Sequence, residues 1–133
     1  LITLFGEPKI SGGGVMTRIA IVCCENIRDK SCIACAKCFK GIDERAGSFE
    51  GYEKIEVIGF SGCGGCPGLV VPKLKLFFTY LQSLDRDVDE IFIGTCVNSA
   101  ITTGNCPIGD VGILKELIEL KFGKKIVVGT HPW

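Results

Sequence analysis

The sequence predicts a single α/β domain in three layers. Its centre is a Rossmann-like or flavodoxin-like parallel sheet of about four strands with helical crossovers. Short runs rich in Ile and Val recur along the chain and are continuous more than alternating, the pattern of a sheet covered on both faces. Between them lie stretches whose apolar residues repeat at helical spacing. The length, 133 residues, is one domain's worth and enough to bury one core.

The first fifteen residues read as a leader, a linker or a start assigned too early. Leu1 to Val15 ends in Ser11-Gly12-Gly13-Gly14-Val15 just before Met16, so the domain is expected over 16–133. The alternative is an extra edge strand over Ile2-Thr3-Leu4-Phe5. The four buried strands are expected at Ile19 to Cys23, Ile55 to Phe60, Glu90 to Gly94 and Lys125 to Gly129. Ser31 to Arg45 reads as a short helix after the first strand. Leu74, Phe77, Phe78, Leu81 and Leu84 follow the i, i+3, i+4, i+7 rule and predict a helix opening after Pro72 and closing before Asp85. Ile113, Leu114, Leu117, Ile118 and Lys121 predict another, with Asp110 as N-cap and Gly123 as its stop.

Gly59, Gly94 and Gly129 are each 35 residues apart, and each follows two apolar strand residues. One step back falls on Cys24. Similar lengths of successive βα units explain this spacing more simply than an ancestral repeat. It directs the chemistry to the carboxyl ends of the strands, where open parallel sheets bind ligands. The expected strand ends are Cys23-Cys24, Ser61-Gly62-Cys63, Thr95-Cys96 and Thr130-His131.

Composition limits the function classes. Acidic and basic residues balance at 15 each, which argues against a broad basic surface for nucleic acid or anionic membrane. No uninterrupted apolar run approaches bilayer length, since Lys73 and Lys75 break the best candidate. Nine cysteines cannot all pair with one another, and no secretory signal is visible. The expected setting is a reducing cytoplasm, where clustered cysteines mean metal binding or thiol chemistry.

Cys63-Gly64-Gly65-Cys66-Pro67-Gly68 is the densest cluster. A C-x-x-C turn lets two sulfurs face one point. Its glycines permit positive φ, which would turn backbone N–H groups toward thiolates. Pro67 suits a helix start whose positive end would favour the Cys66 thiolate. Cys96, Cys106 and His131 are further candidates, with His131 as ligand or proton shuttle. Cys23 and Cys24 point to opposite faces of a strand, so one is expected at the site and the other in the core.

Cys32-x-x-Cys35-x-x-Cys38, with the distant Cys106-Pro107, is reminiscent of iron–sulfur ligation and marks a possible second cluster. On a helix the same three thiols could instead pack as small apolar residues. Ser61 and Thr95 read as turn residues, and Phe49, Tyr52 and Trp133 as packing residues. No glycine-rich phosphate loop follows the first strand, where Cys23-Cys24-Glu25-Asn26 stands, so a dinucleotide or flavin is not expected.

Gly62-Cys63-Gly64-Gly65-Cys66-Pro67-Gly68, the strand-end Cys96, Cys106-Pro107 and Gly129-Thr130-His131 resemble the CGGC domain family. This is a prokaryotic family taken to bind metal, zinc above all, on account of its many cysteines and histidines. The likeness runs from about Arg18 to His131. It implies metal binding without an established reaction. The chain departs from the family pattern in being poor in histidine near the third-strand cysteine and after Cys106-Pro107, where Ile93-Gly94-Thr95 and Ile108 stand. That shifts the expected ligation toward thiolates, away from zinc and toward an iron–sulfur cluster.

Three readings follow. The first is a cytoplasmic metal-binding protein carrying zinc or an iron–sulfur cluster on Cys63, Cys66, Cys96 and Cys106, with Cys23, Cys24 and His131 in reserve. The second is a thiol-redox enzyme using Cys63 and Cys66 as a reversible dithiol. The third is a structural or partner-binding module.

Overall fold

Backbone pairing between the Ile- and Val-rich runs builds one sheet. The computed structural model describes residues 9–11, 14–25, 36–64, 69–102 and 110–130. The strands are β1 (Lys9–Ser11), β2 (Gly14–Cys23), β3 (Lys54–Gly62), β4 (Glu90–Ile93) and β5 (Lys125–Val128). The helices are α1 (Ala36–Glu44), α2 (Val70–Ser83), α3 (Thr95–Thr102) and α4 (Val111–Phe122), with a single 3-10 turn at Gly47–Phe49. Four strands are parallel, in the order β3-β2-β4-β5, and β1 pairs antiparallel with the start of β2. This is the α/β sheet that the strand runs predict. Lys9–Ser11 pairs antiparallel with Gly14–Met16 of β2. Ile2 to Phe5 lie outside the described residues.

Strand alternation divides the core between the two faces. On one face Ala20, Val22, Ile91, Ile93 and Ile126 pack with Leu74 and Leu81 of α2 and Leu114 and Ile118 of α4. On the other, Ile19, Ile21 and Phe92 pack with Cys38 and Ile42 of α1 and with Phe49. Phe49 stacks on Phe92 with ring centroids 4.7 Å apart, and Tyr52 lies 5.8 Å from the same ring, so both aromatics pack as expected. Strands covered on both faces need apolar residues at every position. That is why β2 and β4 read as continuous runs.

The helices follow their local signals with two adjustments. Asp110 caps α4 by accepting the Gly112 N–H at 2.8 Å, and Gly123, at φ +64°, closes it. The second predicted helix starts at Val70, ahead of Pro72. Proline is tolerated there because first-turn N–H groups have no partner inside the helix. A further helix, α3, was not expected from the spacing.

The amino ends of the strands are tied by charge. Arg18 and Asp89 form a two-pronged ion pair, with side chains only 6% and 6% exposed. The Asp89 carboxylate also accepts the Arg18 backbone N–H at 2.8 Å, and the Asp89 N–H returns a bond to the Arg18 carbonyl at 2.8 Å. Nearby, the Tyr52 hydroxyl donates to Glu90. Burial, then this bond, pushes the Tyr52 phenol above its ordinary value of 10.0. The folded state therefore holds this proton to higher pH than the unfolded chain does. Its contribution is complete below pH 10.0 and is lost as pH climbs toward the folded value. Tyr52→Phe is expected to flatten the fall in urea midpoint between about pH 9 and about pH 11; an unchanged fall would contradict this.

Candidate functional site

Ladder register decides which strand ends share an edge. Val22 is level with Ser61 and Ile93, and Ile93 with Val128; Cys23 is level with Gly62. The residues that follow, Cys24, Cys63, Thr95 and Thr130, therefore line the carboxyl edge. The 35-residue spacing holds between Gly94 and Gly129, which follow the paired Ile93 and Val128. It fails at Gly59, which is level with Ala20 and Ile91, because β3 passes an irregularity at Ile19/Ala20 and continues to Gly62.

Strand order reverses between β2 and β4, since β2 leads to β3 on one side and the chain then crosses to β4 on the other. Doubly wound sheets bind ligands in the crevice this reversal opens. Here the Cys24 backbone N–H donates to the Cys96 sulfur at 3.2 Å. Gly94 allows the approach, for a Cβ there would lie 3.0 Å from the Val22 carbonyl and 3.2 Å from the Cys96 sulfur. Cys96 stands in the first turn of α3.

Cys63 follows β3 and, like Cys23, Cys24 and Cys96, is buried in the apolar core on the α2 and α4 face of the sheet. None of the described cysteines forms a disulfide. Cys23 and Cys24 were expected to divide between site and core; both are buried among the core residues of this face. The Cys23 thiol donates to the Ser61 carbonyl at 3.5 Å.

The loop after Cys63 departs from expectation. Gly64 has φ +86°, but its N–H goes to a carboxylate, not to a thiolate: Glu25 Oε2 accepts it at 2.8 Å. Lys73, in the first turn of α2, approaches the same oxygen at 3.9 Å. Glu25 and Lys73 also line a cleft of about 300 Å³ beside Ser61 and Gly62, walled by Phe77 and Tyr80. Neither charged residue stood out in the sequence as a site residue.

Thr95 and Thr130 hold the other half of the edge. The Thr130 N–H donates to Thr95 Oγ1 at 3.0 Å, and the Thr95 N–H returns a bond to Thr130 Oγ1 at 3.2 Å. Cys38 Sγ lies 3.1 Å from the same Thr130 hydroxyl. Cys38 is thus set in the core on the opposite face from Cys24 and Cys96, where a small apolar residue would sit. Cys32, Cys35, Cys66, Cys106, His131 and Trp133 lie outside the described residues. Among the described residues, no three His, Cys, Asp or Glu side chains are grouped to hold a metal ion.

The CGGC domain profile matches residues 18–131. The chain belongs to the CGGC domain family. The match takes in all nine cysteines and the carboxyl ends of β2, β3, β4 and β5. This CGGC domain is 35% identical over 119 residues to an uncharacterised protein of Methanocaldococcus jannaschii, covering 86% of each chain. No solved structure matches it. Among its described residues, no helix is long and apolar enough to cross a membrane.

Proposed function

We propose that this CGGC domain is a cytoplasmic metal-binding protein whose strand-end cysteines hold zinc or an iron–sulfur cluster. The proposed ligands are Cys63, Cys66, Cys96 and Cys106, with Cys23, Cys24 and His131 in reserve. The observation that carries the reading is the Cys24 N–H donated to the Cys96 sulfur at the point where strand order reverses. An N–H aimed at sulfur favours thiolate over thiol, and thiolate is the form that ligates metal.

The donor chemistry fits. Buried thiols are soft ligands suited to zinc or iron, and second-face Cys38 is not needed to complete a four-sulfur set. Cys63 and Cys96 would supply half of that set from described positions, and Cys66 and Cys106 the rest. A bound ion would act as a structural or storage centre if all four positions are protein sulfur, and as a Lewis acid or redox centre if one is open. The scarcity of histidine favours the iron–sulfur form.

Anaerobic purification without chelator, followed by metal quantification and a visible spectrum, tests this. Zinc or iron at about one equivalent or more per chain is the expected result; a brown protein identifies a cluster and a colourless one zinc. Reduced protein free of both metals contradicts the reading, and a reversible Cys63–Cys66 disulfide in such protein would put a redox dithiol in its place.

A further inference from the structure

Glu25 comes directly after Cys24, and its carboxylate reaches from the end of β2 to the loop that leaves β3. There it takes the N–H of Gly64, the residue after Cys63, at 2.8 Å. Its seat exists because residue 62 lacks a side chain. A Cβ on Gly62 would fall 1.9 Å from Glu25 Oε2 and 2.3 Å from its Cδ, inside any possible contact. Gly64 is confined from the other side, since a Cβ there would lie 2.6 Å from the Leu69 backbone, and its φ of +86° suits glycine alone. The Lys73 ion pair is loose at 3.9 Å, and its side chains are 45% and 31% exposed, so it adds little. What joins Glu25 to the end of β3 is the bond from Gly64 and the space over Gly62.

We propose that Glu25 is the positioning residue of Cys63, acting through the Gly64 N–H that follows it. The dipeptide Cys24-Glu25 then binds both neighbouring strand ends at once: its backbone N–H fixes the Cys96 sulfur, and its carboxylate fixes Gly64, the residue after Cys63. Two of the three Gly-Cys-Gly-Gly-Cys glycines thereby acquire separate tasks. Gly62 makes room for the carboxylate, and Gly64 turns its N–H toward it. For its functional meaning the inference rests on the metal reading above, but its geometry does not, so the two can fail separately.

The test uses full-length reduced protein stripped of metal, with alkylation rates of Cys63 and Cys66 read by mass spectrometry. Cys63 is only 8% exposed, so its rate reports local opening at the end of β3. Glu25→Ala is expected to raise that rate about tenfold, the loss of one bond to a charged acceptor, while the melting temperature shows that the fold persists. Glu25→Gln keeps an acceptor oxygen and is expected to stay within about twofold of the parent. Gly62→Ala should match Glu25→Ala by expelling the carboxylate, and the double variant should be no faster than either single one. Glu25→Ala with an unchanged Cys63 rate, or additive effects in the double variant, would overturn the proposal. Metal content of the parent protein, measured separately, tests the metal reading alone.

Discussion

Cys96→Ser is expected to reduce bound metal from about one equivalent per chain to a tenth of that or less, because a soft ion loses its sulfur at the reversal point. Serine is nearly isosteric, so the stripped protein should melt close to the stripped parent. The difference will lie in the loaded forms. An ion that binds only the folded state stabilises it by about 4 kcal/mol at a thousandfold excess over its dissociation constant, and the variant should lose that increment. Cys38→Ala is the matched control, since Cys38 packs on the other face against Ile19, Ile21 and Phe92. It should keep its metal. Retention of full metal content by Cys96→Ser would remove Cys96 from the ligand set.

The second large effect lies at the opposite edge. Asp89→Ala should cost about 3–5 kcal/mol in urea unfolding, the expected cost of breaking a buried ion pair by removing one partner. Arg18 is 5% exposed, and a guanidinium is not deprotonated in proteins, so removing Asp89 leaves an uncompensated buried charge. The substitution also strips an acceptor from the Arg18 backbone N–H, which bonds to the same carboxylate. Replacing both residues with apolar ones of similar volume should recover much of the loss, as the desolvation cost goes with the charges. A loss under about 1 kcal/mol for Asp89→Ala would mean that water reaches the pair. Metal content should be unchanged in either variant, because the pair sits at the amino ends of strands whose carboxyl ends carry the cysteines.

The parts of the fold that one stretch of chain determines were legible in the sequence. Buried strands announce themselves as Ile and Val runs, and α4 carries its own cap at Asp110 and its own stop at Gly123. α3 was missed because its buried residues, Cys96, Val97, Ala100 and Ile101, are few and small, and the helix follows β4 after Gly94 alone. The repeated Gly94-Thr95 and Gly129-Thr130 dipeptides were a readable sign of the threonine pairing at that edge, which strand register converts into hydrogen bonds. Gly59 misled for a plainer reason: spacing along the chain counts loop and helix residues together with strand residues, and β3 runs past it to Gly62.

The candidate site was legible as a place more than as a set of contacts. Cysteine enrichment at the strand ends pointed to the carboxyl edge; Cys24, Cys63 and Cys96 stand at strand ends there, and the Cys24 N–H reaches the Cys96 sulfur. Glu25 gave no signal, since a lone carboxylate after two cysteines looks like any solvated charge. Its role depends on an absent side chain at Gly62, thirty-seven residues away. Cys38, read from its spacing as either a ligand or a packing residue, lies against the Thr130 hydroxyl and is buried with Ile19, Ile21 and Phe92.

X-ray absorption at the metal edge of the anaerobically purified protein tests the central claim most directly. The account predicts a first shell dominated by sulfur, at about 2.3 Å for zinc, and loss of that shell in Cys96→Ser. A first shell of nitrogen and oxygen alone, at about 2.0–2.2 Å, would contradict a site built from the strand-end cysteines.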